Sequence, residues 1–140
     1  MSDSEVSDCI IVGGGPAGLT AAIYLARYHL SVRLFDCGTS RASLIPCTRN
    51  HAGHPDGIAG DELLSRMLAQ AEKFGVERVQ ATVGSLVRND GVFRVAADAE
   101  AFQARSVLLA TGVFNRHPPG MDDALHDRAL AAGLLRYCPV

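Results

Sequence analysis

The apolar pattern opens with Cys9-Ile10-Ile11-Val12, which stops at Gly13-Gly14-Gly15. A short apolar run bounded by glycine predicts a strand. Apolar positions then recur at helical spacing over about residues 17–29. Gly18, Ala21 and Ala22 offer a small sheet-facing side, and Ile23, Leu25 and Leu30 add bulk. Val32-Arg33-Leu34-Phe35-Asp36 reads as the next strand. Residues 37–59 carry no clear period and hold Pro46, Gly53, Pro55 and Gly57. A second helix opens at Gly60-Asp61 and ends before Gly75, with Leu64, Met67, Leu68, Ala71 and Phe74 on one face. Asp61 and Glu62 suit the positive end of its dipole, and Gly75 suits the C-terminal cap. From Val76 the period becomes two, through Val79, Ala81 and Val83. Asn89-Asp90-Gly91 predicts a turn joining strands at 85–88 and 92–97. A third short strand is expected near 101–104. Val107-Leu108-Leu109 then reads as a buried strand running into Ala110-Thr111-Gly112.

The first strand, turn and helix carry candidate chemistry. Gly13, Gly15 and Gly18 have the G-x-G-x-x-G spacing of a dinucleotide-binding fingerprint. Gly13 permits the tight turn, Gly15 leaves room for a pyrophosphate, and Gly18 lets helix and strand approach. The N–H groups at the helix start, near Pro16 and Ala17, then face the phosphates with the dipole behind them. The second strand ends in Asp36, where a carboxylate accepts from both ribose hydroxyls and repels a 2′-phosphate. The long segment after it is polar and cationic, with Ser40, Arg41, Ser43, Arg49, Asn50, His51 and His54. A loop of that length in a compact domain is usually used, and this one suits a surface lining a cofactor.

These elements predict an α/β fold: a Rossmann-like βαβ unit with a parallel sheet, helices and a three-stranded antiparallel crossover. Dehydrogenase domains seldom insert such a meander, whereas flavoproteins that bind two dinucleotides do. The insertion moves the expected nucleotide from NAD to FAD.

Composition narrows the class. A net charge of −2 gives no attraction to nucleic acid or to an anionic membrane. No apolar run approaches the roughly 20 residues of a membrane span, and the polar start, Met1 to Asp8, is not a signal peptide. A cytoplasmic protein is expected. The four cysteines, Cys9, Cys37, Cys47 and Cys138, lack zinc spacing, so no metal is expected. Cys9 reads as a small buried hydrophobe, while Cys37 and Cys47 could meet across the loop.

Several segments together resemble the thioredoxin reductase family, within the wider pyridine nucleotide–disulfide flavoproteins. They are the run from Gly13 to Arg27, Asn50 with Gly53 and Pro55, Gly60, Phe74-Gly75, and Leu108 to Gly112. The resemblance covers about residues 8–140. It implies that residues 13–18 hold the FAD pyrophosphate and that Asp36 holds the adenosine ribose. It places Asn50 toward the flavin and the Val83 backbone at the adenine, with Ala110, Thr111 and Gly112 beside the cofactor. Residues 1–114 would be the N-terminal part of the FAD-binding domain, and residues 115–140 a connector opening an NADPH-binding domain. The family's Gly-Gly-Gln after the second strand is replaced by Thr39-Ser40-Arg41-Ala42-Ser43, which leaves the flavin contacts and the redox partner open.

The family's redox pair is Cys-x-x-Cys, and Cys138 stands where its first, catalytic cysteine belongs. On this reading the chain is truncated before the second cysteine and the NADPH-binding fingerprint. The complete protein would pass electrons from NADPH to FAD to the disulfide, and on to a thioredoxin-like protein or a small disulfide substrate. The resemblance also allows a homodimer. Two alternatives stay open: an NAD-binding dehydrogenase domain, and an inactive nucleotide-binding fragment.

Overall fold

The computed structural model describes residues 6–136. Six strands form one mixed sheet: β1 Ser7–Val12, β2 Val32–Phe35, β3 Glu77–Val79, β4 Val83–Asn89, β5 Val92–Ala97 and β6 Glu100–Leu109, in the order β3-β2-β1-β6-β5-β4. The helices are α1 Pro16–Arg27, α2 Gly60–Lys73 and α3 Asp123–Ala131. β1 lies parallel between β2 and β6, with Ile10 opposite Arg33 on one side and Val107 on the other.

That central position explains the apolar run in β1. Ile11 packs with Leu19, Ala22, Met67 and Ala71 on the helical side. Ile10 faces the other way and packs with Phe35, Val95, Ala97 and Ala104. Both isoleucines are fully buried, so alternation between apolar and polar residues has no use here. The second cluster also shows how the meander sits. β3 and β4 are the two ends of the sheet order, yet only residues 80–82 separate them. Three residues span little more than about 10 Å, so the sheet curls. The hairpin folds back over the face carrying Ile10 and Phe35, and Phe35 meets Phe102 edge to face.

Several sequence expectations are corrected. The strands expected near 101–104 and at 107–109 are one ten-residue strand, β6. Its first half pairs antiparallel with β5, and its second half parallel with β1. The polar Arg105 and Ser106 suggest a break, but both are used: Arg105 pairs with Asp8 and the Ser106 hydroxyl donates to the Asp8 carbonyl at 2.7 Å. The end of β6 is not buried, since Leu108 and Leu109 are 39% and 63% exposed. The period-two run does not continue through Ala81. Its N–H donates to the Val79 carbonyl at 3.1 Å, which turns the chain between the two sheet edges. α1 stops at Arg27, because His29 takes a positive φ of 63° and Leu30 donates back to the Leu25 carbonyl. Leu30 is therefore exposed. On α2 the buried set is Leu63, Met67 and Ala71, while Phe74 is exposed beneath the Arg27 guanidinium.

Asp8 ties three segments together. Its carboxylate accepts from the Ser31 N–H and hydroxyl, both at 2.9 Å, and from Arg105 at 2.6 Å. The Ser31 backbone and hydroxyl bonds, then Arg105, hold its pKa below the usual carboxylate value. A lowered folded-state pKa gives stability that is present above the unfolded value and lost as pH falls through the folded one. Asp8→Asn is therefore expected to flatten the acid limb of stability below about pH 5. Urea midpoints measured against pH check this, and an acid limb identical to wild type would refute it.

Candidate nucleotide-binding site

β1 delivers Gly13 to the carboxyl end of the sheet, where β2 and β6 also end. Gly13 has φ of +116° and donates to the Phe35 carbonyl at 2.8 Å. A side chain there would strike the Ala110 carbonyl, so the β6 exit packs directly on the glycine turn. The Ala110 N–H donates to Val12 at 2.8 Å and closes that contact. Gly15 is the N-cap of α1, and Pro16 follows at the start of the helix. No side chain caps this end, and Leu19 makes a helical bond to the Gly15 carbonyl. The N–H groups of Ala17 and Gly18, in the first turn, lack i−4 carbonyls within the helix. An uncapped helix start with the dipole behind it suits an anion. Gly18 is buried under this turn, against Gly13 and Ile11.

Asp36 follows β2 and is anchored through its N–H to the Val79 carbonyl at 3.0 Å. Its Oδ1 accepts from the Gly38 N–H, and its Oδ2 from the Arg78 Nη2, each at 2.9 Å. Gly14 leaves the space that this side chain occupies. A Cβ on Gly14 would sit 2.6 Å from the Asp36 Cβ. Gly14, Asp36, Gly38, Ser40, Ser43, Asp61 and Arg78 line one cavity of about 360 Å³, with Leu64 and Leu68 of α2 as its apolar wall. The glycine turn, the acid and the polar loop thus meet at one opening.

The loop is more ordered than its composition predicts. Arg41–Leu44 forms a 3-10 turn capped by Ser40, whose Oγ accepts from Ala42 at 3.3 Å. Thr48 and Ile58 form an antiparallel bridge that closes the rest of the loop. Gly60 donates to the Ile45 carbonyl at 2.9 Å and fastens the turn to the start of α2. A second cavity of about 560 Å³ lies between this loop and the end of α3, lined by Arg41, Leu44, Cys47, Arg49, Leu130 and Arg136 among others.

The other expected residues are more dispersed. Asn50 is exposed near the bridge, and its Oδ1 accepts from Thr48 at 2.6 Å. Val83 is half-buried at the start of β4, beside an irregularity in its pairing with β5. Thr111 and Gly112 are exposed beyond Ala110. Cys9 is buried and, like Cys37 and Cys47, carries a free thiol. Cys138 lies outside the described residues. Arg78 is absent from the sequence expectations. The available signal was its place in a period-two run, which sets a cation beside the strand ending in Asp36. Among the described residues no His, Cys, Asp and Glu grouping could hold a metal ion, and no helix is long and apolar enough to cross a membrane.

Residues 7–137 match the family model of pyridine nucleotide-disulphide oxidoreductases. A thioredoxin reductase of Mycolicibacterium smegmatis is 39% identical over 120 residues, covering 84% of this chain and 39% of the relative. That of Listeria monocytogenes is 32% identical over 141 residues, covering 99% of this chain and 43% of the relative. Among solved structures, a thioredoxin reductase from Streptococcus pyogenes superposes with a TM-score of 0.78 at 31% identity, over 84% of this chain and 39% of that one. One from Gloeobacter violaceus gives 0.74 at 36% identity, over 81% and 39%. The chain therefore spans about two fifths of these relatives, 39% and 43% in the two sequence matches.

Proposed function

The chain belongs to the pyridine nucleotide-disulphide oxidoreductase family, as a thioredoxin reductase-like domain, and from that membership we propose that it is the FAD-holding portion of an NADPH-dependent disulfide reductase. One observation carries this reading: an uncapped helix N-terminus directly follows a glycine turn whose Gly14 lines the same cavity as Asp36. Those groups fit a dinucleotide chemically. N–H donors suit the pyrophosphate, a carboxylate suits the ribose diol, and the bare Gly13 and Gly14 let the turn pack against the Ala110 carbonyl and the Asp36 side chain.

On this reading Gly13, Gly15, Pro16, Ala17 and Gly18 hold the pyrophosphate and Asp36 the adenosine ribose. The Val83 backbone meets the adenine, Asn50 lies toward the flavin, and Ala110, Thr111 and Gly112 run beside the cofactor. FAD, when bound, supplies the two-electron chemistry that links a nicotinamide to a disulfide. The chain's own part is to bind, to orient and to exclude water. Leu64 and Leu68 keep one wall of the opening apolar, and the missing side chain at Gly14 leaves room for Asp36. Residues 115–140 would lead to the NADPH-binding domain, with Cys138 in the redox motif and a thioredoxin-like protein or small disulfide as electron acceptor.

The test is direct. Protein incubated with FAD, desalted and then denatured is expected to release FAD in a one-to-one ratio. Colourless protein, whether or not it binds NAD, would overturn the reading. A finer expectation concerns Asn50. If it borders the flavin, Asn50→Leu shifts the visible spectrum of bound FAD, because an amide facing the ring becomes an alkyl group. A spectrum identical to wild type would put the 37–59 loop elsewhere.

A further inference from the structure

We infer that Arg78 is a positioning residue for the adenosine ribose, one that sets how sharply the site selects a ribose diol. The inference rests on the FAD reading and goes beyond it. An ionised carboxylate offers about four acceptor positions, two on each oxygen. Gly38 takes one on Oδ1 and Arg78 takes one on Oδ2, both at 2.9 Å. One position on each oxygen is left, which matches the two hydroxyl donors of a vicinal diol. Without Arg78, Asp36 would keep the Gly38 bond alone and could turn about it.

The surroundings favour this role over a purely structural ion pair. Arg78 stands opposite Leu34 in the β2–β3 register, on the face that packs against the helices. That is an apolar environment for a guanidinium, yet its side chain is only 30% exposed and Asp36 only 15%. Both line the same cavity. The neighbouring pair, Arg33 with Glu77, joins the same two strands, is adjacent in register and does not line that cavity. It provides a control with similar chemistry away from the opening.

The experiment compares FAD with an analogue whose adenosine ribose lacks the 2′-hydroxyl, by fluorescence titration of the protein. Wild type is expected to prefer FAD by about tenfold, the order of one hydrogen bond to a charged acceptor. Arg78→Met keeps the aliphatic stem but loses the donor. It is expected to bind FAD about tenfold more weakly and to retain less than about a twofold preference. Arg78→Lys restores a single charged donor and is expected to give an intermediate preference. Arg33→Ala is expected to lower the melting temperature and leave the preference as in wild type.

A wild-type preference in Arg78→Met overturns the inference and leaves the FAD reading standing. So does a wild-type protein that binds both ligands equally. If Arg78→Met does not fold, Arg78→Lys decides alone, and an unchanged preference there overturns the inference. A wild-type protein that binds neither ligand overturns the FAD reading, and the inference with it.

Discussion

Gly18→Val is expected to abolish FAD binding and to destabilise the protein. At most helical positions a glycine costs about 1 kcal/mol relative to alanine, so replacing it would help. Position 18 reverses the sign. A Cβ there overlaps the Gly13 carbonyl oxygen and comes within 3.1 Å of its carbon and 3.3 Å of Ile11 Cγ2. Two of those atoms are backbone in the turn itself, and Ile11 is fully buried in the central strand, so neither can yield cheaply. The helix must lift, at an overpacking cost of about 1–3 kcal/mol, and valine adds a branch to the same clash. Lifting α1 also carries its first N–H groups away from the cradle. Losing two bonds to charged phosphate oxygens costs roughly a hundredfold or more in Kd. Thermal melts and FAD titration of the purified variant check both parts. Wild-type FAD affinity would show that the glycine turn is not the phosphate site.

The parts of the fold that follow from local pattern were legible in the sequence. β1 is an unbroken apolar run because both of its faces are covered. α2 shows its helical period and its Gly75 cap, and the 89–91 turn shows its Asp90-Gly91 pair at positive φ. The features that local pattern does not carry are tertiary in origin. Arg105 and Ser106 look like a strand break, and only the distant β1 makes them members of β6, through the Cys9–Ser106 pairing and the bonds to Asp8. Phe74 has the right spacing to be buried, but it lies at the end of α2 and meets Arg27 instead. The pattern of apolar positions does not announce α3, although Asp122 caps it in the usual way, its carboxylate accepting from the Leu125 N–H at 2.7 Å. That signal is one residue long, and no broad apolar face accompanies it.

The candidate site divides along the same line. Gly13, Gly15, Gly18 and Asp36 stand at spacings imposed by one strand–turn–helix–strand unit, so sequence alone could name them. Arg78 and Gly14 could not be reached that way. Arg78 is 42 positions from its partner Asp36, and the need for glycine at position 14 appears only once the Asp36 side chain is placed. Val83 and Gly112 rest on family resemblance alone, and Asn50 on that resemblance and on its place in a polar loop; local spacing singles out none of them.

Gly60 shows the same limit, and it carries the second large effect. It matched the family pattern, but the sequence supplied no reason for a glycine at the first residue of α2. A Cβ there would overlap the Ala42 carbonyl oxygen, 2.9 Å from that carbonyl carbon and 3.1 Å from the Ile45 oxygen. Gly60→Val must therefore push the Arg41–Leu44 turn off α2 and break the Gly60 N–H bond to Ile45. Overpacking of about 1–3 kcal/mol plus a lost hydrogen bond of about 1 kcal/mol corresponds to a fall of roughly 5–15 °C in Tm for a domain of this size. Proteolysis within 37–59 should accelerate, because this contact fastens the loop. Unlike Gly18→Val, the variant leaves α1 and the glycine turn in place and displaces only Ser40 and Ser43 from the cavity wall. FAD binding should weaken by about tenfold, the scale of one or two polar contacts, and should not vanish. A melting temperature and proteolysis rate equal to wild type would show that the turn does not bear on α2. Complete loss of FAD with an intact fold would show that the loop, rather than the glycine turn, carries most of the nucleotide affinity.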